Sequence, residues 1–145
     1  MNDDFASDEL FCEGVVECTA LVLAEGCTEL DGRLTLFGIL DEIRPAKEGG
    51  TSFVAYAKFE GCGHATDRQW NARIVISDDG GEVLMESPEY DVWIEAADEP
   101  FTVVGSFDLD ENYFDGGDRM LWVEAVLDEE TLSQTAIRLR DRYNV

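Results

Sequence analysis

The sequence predicts an all-β chain folded as a single antiparallel β-sandwich of about seven or eight strands. Three observations predict it: short apolar runs with period-two alternation, polar turn signals between them, and no sustained helical period. Trp70, Ala72, Ile74 and Ile76 share one face of a run, and Asn71, Arg73 and Ser77 share the other. Leu121, Val123, Ala125 and Leu127 repeat the pattern opposite Trp122 and Glu124. Turns are marked by Asp31-Gly32, Gly49-Gly50, Asp78-Asp79-Gly80-Gly81 and Gly116-Gly117. With 145 residues, 45% of them hydrophobic, the chain suits one domain with a core of its own.

In chain order, residues 1–13 form an acidic leader in which Phe5, Leu10 and Phe11 are the apolar anchors, and residues 14–145 form the sandwich. Strands are predicted near 15–24, 34–43, 52–59, 70–77, 82–95 with an interruption at Pro88, 101–109, 120–127 and 134–140. Residues 128–142, DEETLSQTAIRLRDR, compete as a short C-terminal helix. They combine good helix formers with acids at the start, where the helix dipole favours negative charge. No internal repeat or low-complexity tract interrupts the pattern.

The stretch ALVLAEGCTELDGRLTLFGILDEIRP, residues 20–45, resembles a family of small uncharacterised bacterial β-sandwich proteins. Their opening strand is followed by D-G-[KR]-L-x-[IL]-x-G-x-[FL]-D-x-[IL]. The matching residues are Asp31, Gly32, Arg33, Leu34, Leu36, Gly38, Leu40, Asp41 and Ile43. RIVISDDGGEVL, residues 73–84, is similar to a second hallmark, and MLWVEAVLDEETLSQTAIRLR, residues 120–140, to the closing hairpin. The resemblance implies a β-sandwich that ends in a strand, and it brings no catalytic residues. Asp31-Gly32 reads as a turn and Gly38 as a bulge or close approach. The acidic leader and Cys27 depart from the family pattern.

Charge is the compositional outlier. Thirty-three acidic residues stand against ten basic ones, a formal net charge of −23. Such a chain repels nucleic acid and anionic membranes, and it lacks the cations that release counterions from phosphates. Three readings fit the acidity: a solvated surface, a surface shaped for a basic partner, and mimicry of a phosphate backbone. No segment reaches the ~18 apolar residues of a bilayer span. The N-terminus is acidic where a signal peptide is basic. The expected location is cytoplasmic or within a virion, and Cys12, Cys18, Cys27 and Cys62 are then expected as thiols.

Few chemistries fit the remaining motifs. DLDENYFDGGDR, residues 108–119, places Tyr113 where an EF-hand needs Gly and Arg119 where it needs Glu. A looser calcium site built from Asp108, Asp110, Asn112, Asp115 and Asp118 stays open beside the plainer reading of a polar turn. Cys12 and Cys18, and Cys62 with His64, lack the spacing of zinc knuckles. The single histidine, His64, offers no dyad, and no phosphate-binding glycine loop is present. The expectation is a non-enzymatic protein without a cofactor.

Most of the physical content lies in the rare positive charge. Arg138, Arg140 and Arg142 recur at period two on a terminal strand expected at a sheet edge, with Ile137 and Leu139 facing the core. This stripe either protects the edge from unwanted pairing or attracts the acids of the leader, Asp3, Asp4, Asp8, Glu9 and Glu13, within or between chains. The sequence reading is therefore a protein–protein interaction or structural module. Its partner is a second copy of itself or a basic protein, and it acts as a repeated subunit of a larger assembly such as a virion. Two alternatives stand: an acidic, nucleic-acid-mimicking inhibitor, and a calcium-dependent binding module.

Overall fold

The computed structural model describes residues 16–46, 50–61, 69–93 and 100–141. Within them run ten strands: β1 (Val16–Leu30), β2 (Arg33–Ile39), β3 (Glu42–Ile43), β4 (Thr51–Gly61), β5 (Gln69–Ser77), β6 (Val83–Glu86), β7 (Tyr90–Trp93), β8 (Phe101–Leu109), β9 (Arg119–Leu127) and β10 (Glu130–Leu139). They form two sheets, ordered β2-β1-β4-β8 and β3-β10-β9-β5-β6, with β7 also pairing β5. Every pairing is antiparallel except the two-residue match of β3 with β10.

The predicted sandwich is therefore the observed one, with two local corrections. The segment expected as one strand at 34–43 divides: Gly38 takes φ +66°, and the chain crosses at Leu40 and Asp41 from one sheet to the other. The segment at 82–95 divides at Pro88 as expected, since proline has no N–H for a ladder. Ser87 bridges the gap. Its amide donates to the Ile74 carbonyl (2.8 Å), and its Oγ accepts from the Ile74 amide (2.8 Å).

The second correction is the C-terminal helix, which does not form. Among the described residues the chain has no α-helix, and residues 128–139 belong to the β9–β10 hairpin instead. Leu127 pairs with Glu130, so Asp128 and Glu129 make a two-residue turn with φ of +47° and +71°. Both angles positive is the hairpin turn that matches strand twist. The alternation Ile137 in, Arg138 out, Leu139 in then buries the two apolar residues almost completely. A helix would have left that pair without a core to enter, and tertiary burial outweighs local helix propensity.

The core lies between the sheets. Leu23, Phe53, Ala55, Ala57, Phe59, Val103 and Phe107 of the first sheet meet Ile74, Ile76, Leu121, Val123, Ala125, Ile137 and Leu139 of the second. Phe53 stacks on Phe107 and Phe59 on Phe101, with ring centroids 5.5 and 5.0 Å apart. The Tyr90 hydroxyl donates to the Val104 carbonyl (2.9 Å), tying β7 to the edge strand β8 of the other sheet. The β1–β2 hairpin runs past this core. Thr28 to Thr35 are all exposed, and the hairpin turns at Asp31-Gly32 with both φ positive.

Candidate interaction surfaces

Of the arginine stripe, Arg138 and Arg140 border the same groove, as their period predicted, but they do not hold the expected edge position. β3 covers the end of β10, pairing Arg138 with Glu42 and Leu139 with Ile43. Arg140 is then consumed internally: its Nε bonds Glu42, and its NH1 donates to Asp118 (2.9 Å). Arg44 holds the other oxygen of Glu42 through its own Nε at 2.8 Å. The Arg140 hydrogen bond, with help from Arg44, holds the Glu42 carboxyl below the usual carboxylate range. Arg138 points outward and is exposed. The three arginines border a groove of about 750 Å³, with Glu25, Asp41 and Ser52 among its other lining residues. Arg142 and the leader acids Asp3, Asp4, Asp8 and Glu9 lie outside the described residues.

The carboxylates of the 108–119 loop serve separate partners. Asp108 accepts from the Ser52 hydroxyl, and Asp110 caps a 3₁₀ turn, Glu111–Phe114, by accepting from the Asn112 amide (2.9 Å). Asp118 accepts from Arg140 with one oxygen and from the Asp141 amide (2.7 Å) with the other. Asn112 contributes its backbone, its carbonyl accepting from the Asp115 amide (3.4 Å). The loop is fastened by Phe114, a fully buried side chain that the polar run around it concealed. Among the described residues no group of three or more His, Cys, Asp or Glu is arranged to hold a metal ion.

Cys18 and Cys27 are free thiols, each half-buried. Burial pushes the Cys18 thiol up, against the opposing hydrogen bond of its Sγ to the Ala20 carbonyl (3.2 Å). Cys12, Cys62 and His64 lie outside the described residues.

The surface that sequence reasoning missed is the outer face of the four-stranded sheet. Ala55, Ala57 and Phe59 of β4 enter the core, so Val54, Tyr56 and Lys58 point outward. Pairing carries that orientation to Ala20, Val22 and Ala24 on β1, and to Thr102, Val104 and Ser106 on β8. On β2 it reaches Arg33, Thr35, Phe37 and Ile39. Phe37 lies over Gly26, where a Cβ would come within 2.5 Å of its ring. Even so, Phe37 is 52% exposed and Ile39 60% exposed.

The charge on this face is as unusual as its apolarity. Among the described residues its outward charged side chains are Glu17, Glu60 and Asp108 against Arg33 and Lys58, so these strands present a near-neutral face in a chain of net charge −23. A signal for it exists in ALVLA (20–24) and LTLFGIL (34–40), where apolar residues occupy both parities. A strand apolar on both sides buries one face in its own sandwich and leaves the other to be covered.

No family model and no curated protein matches the chain. Solved structures do share its architecture. The chain is similar to an alkylpurine DNA glycosylase of Pseudomonas fluorescens, solved with DNA containing an abasic-site analogue, with a TM-score of 0.55 and 11% identity. The similarity covers 93% of this chain and 36% of the glycosylase. A β-glucuronidase of glycoside hydrolase family 2 aligns at a TM-score of 0.47 and 15% identity over 66% of this chain, which spans 10% of the enzyme. An immunoglobulin-like protein of Pseudomonas aeruginosa aligns at a TM-score of 0.42 and 12% identity, over 88% of this chain and 98% of that one. At these identities the likeness concerns the fold. No described helix is long and apolar enough to cross a membrane. The chain is an all-β sandwich of two sheets.

Proposed function

We propose that the chain is a non-enzymatic protein–protein interaction module, working as a subunit of a larger assembly. The observation that carries this reading is the near-neutral, apolar outer face of the β2-β1-β4-β8 sheet. Ala24 and Val54 on this face are buried, but Phe37 and Ile39 stand exposed side by side on β2, and exposed apolar surface of that kind marks a place where another surface docks. In a chain this acidic, sparing one face from carboxylates removes the repulsion that would otherwise oppose close approach. The DNA named with the glycosylase is not carried over, because a net charge of −23 opposes phosphate. The arginine groove is a secondary contact in this reading, since Glu42 and Asp118 already neutralise most of its charge.

Affinity capture from the source organism tests the proposal, with wild type compared to Tyr56→Lys and to an Arg138→Ser control. Proteins retained by wild type and by the control, but lost with Tyr56→Lys, support the sheet face. Equal retention on all three overturns it. Recovery of a nucleic-acid-binding enzyme that DNA competes away would also overturn it, in favour of an acidic inhibitor.

A further inference from the structure

Resting on that reading, we infer that a second copy of the chain docks on this face. The outer sides of two β1–β2 hairpins pack against each other across a two-fold axis, through side chains and not through the sheet edge. The exposed apolar residues are concentrated there. Six large hydrophobic side chains stand exposed among the described residues, and four of them, Leu30, Leu34, Phe37 and Ile39, lie within ten residues of one hairpin. Leu34 alternates to the inner side. Leu30 shares the outward direction of Ala24 on β1 and so joins Phe37 and Ile39 on the outer one. It is the most exposed of the three, at 68%.

Charge decides what kind of surface fits. The outward positions of the hairpin are Gly26, Thr28 and Leu30 on β1 and Arg33, Thr35, Phe37 and Ile39 on β2, with no acid among them. Glu25 and Glu29 alternate to the other side, and Asp31 occupies the turn. A basic partner would be drawn to carboxylates, and this side offers it none. Two chains of net charge −23 repel each other, so they approach most easily where carboxylates are absent. A patch that is apolar and free of acids is what each copy can present to the other, and a two-fold axis matches like surface with like. The size also fits. The four strands of this sheet, about 4.8 Å apart and about eight residues long, give on the order of 500 Å² per copy, so two copies reach the roughly 1,000 Å² of a specific interface.

Light scattering behind a sizing column tests this on the full chain. The wild type is expected at twice the 16.2 kDa chain mass. The paired fraction should rise from about 0.01 M to about 1 M sodium chloride, as screening removes the residual repulsion between the copies. Leu30→Glu and Ile39→Glu are each expected at the mass of one chain. Both side chains are exposed in the single chain, so its fold does not depend on them. Leu34→Glu on the inner side of the same hairpin and Val83→Glu on β6 add the same charge elsewhere and should stay paired. A wild type that stays a single chain at both salt concentrations overturns the inference. So does a pair that salt dissociates, that Leu30→Glu and Ile39→Glu leave intact, or that the two controls disrupt equally. If the wild type is single while Tyr56→Lys still loses captured proteins, the interaction face stands and a different protein occupies it. If Tyr56→Lys loses none, that reading falls as well.

Discussion

Ser87 shows how one hydroxyl replaces a stretch of ladder. It is buried, and it closes the break that Pro88 opens by accepting from the Ile74 amide and donating to the Pro88 carbonyl (2.9 Å). Removing the hydroxyl strands a buried N–H, which typically costs about 1–3 kcal/mol. Ser87→Ala should lower unfolding stability by that amount in a urea titration, with an unchanged slope. A loss within a few tenths of a kcal/mol would show that water reaches the Ile74 amide. At this scale the sequence is legible only where a residue's role depends on its immediate neighbours. The facing of Ile137, Arg138 and Leu139 follows from period two alone. The Ser87–Ile74 bonds, the burial of Phe114 and the Glu42–Arg140 pair depend on residues brought together from far along the chain. No local pattern encodes them.

Among the elements, the β9–β10 hairpin holds the sharpest contrast between local and tertiary preference. Its helix-like composition sits on a turn of two non-glycine residues at positive φ, each a conformation that disfavours L side chains. The two are not equivalent. Asp128 accepts from the Asn71 amide (2.9 Å) and donates its own amide to the Asn71 carbonyl (2.9 Å), fixing the turn against β5. Glu129 contributes an exposed ion pair to Arg73, of the kind worth at most about 1 kcal/mol. Glu129→Gly should therefore leave stability level or raise it by up to about 1 kcal/mol, whereas Asp128→Gly, which deletes the carboxylate acceptor, should lower it. Thermal melts of both variants check the difference in sign. The strand boundaries were legible in the same limited way. Pro88 marked the break in 82–95, but nothing local to Leu40 announced a change of sheet.

Across the whole molecule, the acidity and the sandwich pull in opposite directions. Core burial holds together a surface that repels itself, and the described ion pairs engage few of the carboxylates. Screening should relieve this, since the Debye length falls from about 30 Å at 0.01 M to about 3 Å at 1 M salt. The melting temperature is expected to rise with sodium chloride across that range. A flat profile would mean the carboxylates are already spaced widely enough to ignore one another. Composition reported the total charge but not its placement. Which face is spared emerges only when β1, β2, β4 and β8 are set side by side.

The crossing at Leu40 and Asp41 makes residues 33–43 a strap shared by both sheets. Its first part is laced to β1, and its last two residues are laced to β10. In mechanical terms, a load along β2 is borne as shear by the β1 ladder. It then passes through two linking residues to the Glu42–Arg140 clasp, so this side of the sandwich yields as one hinge-bound flap and not as two independent layers.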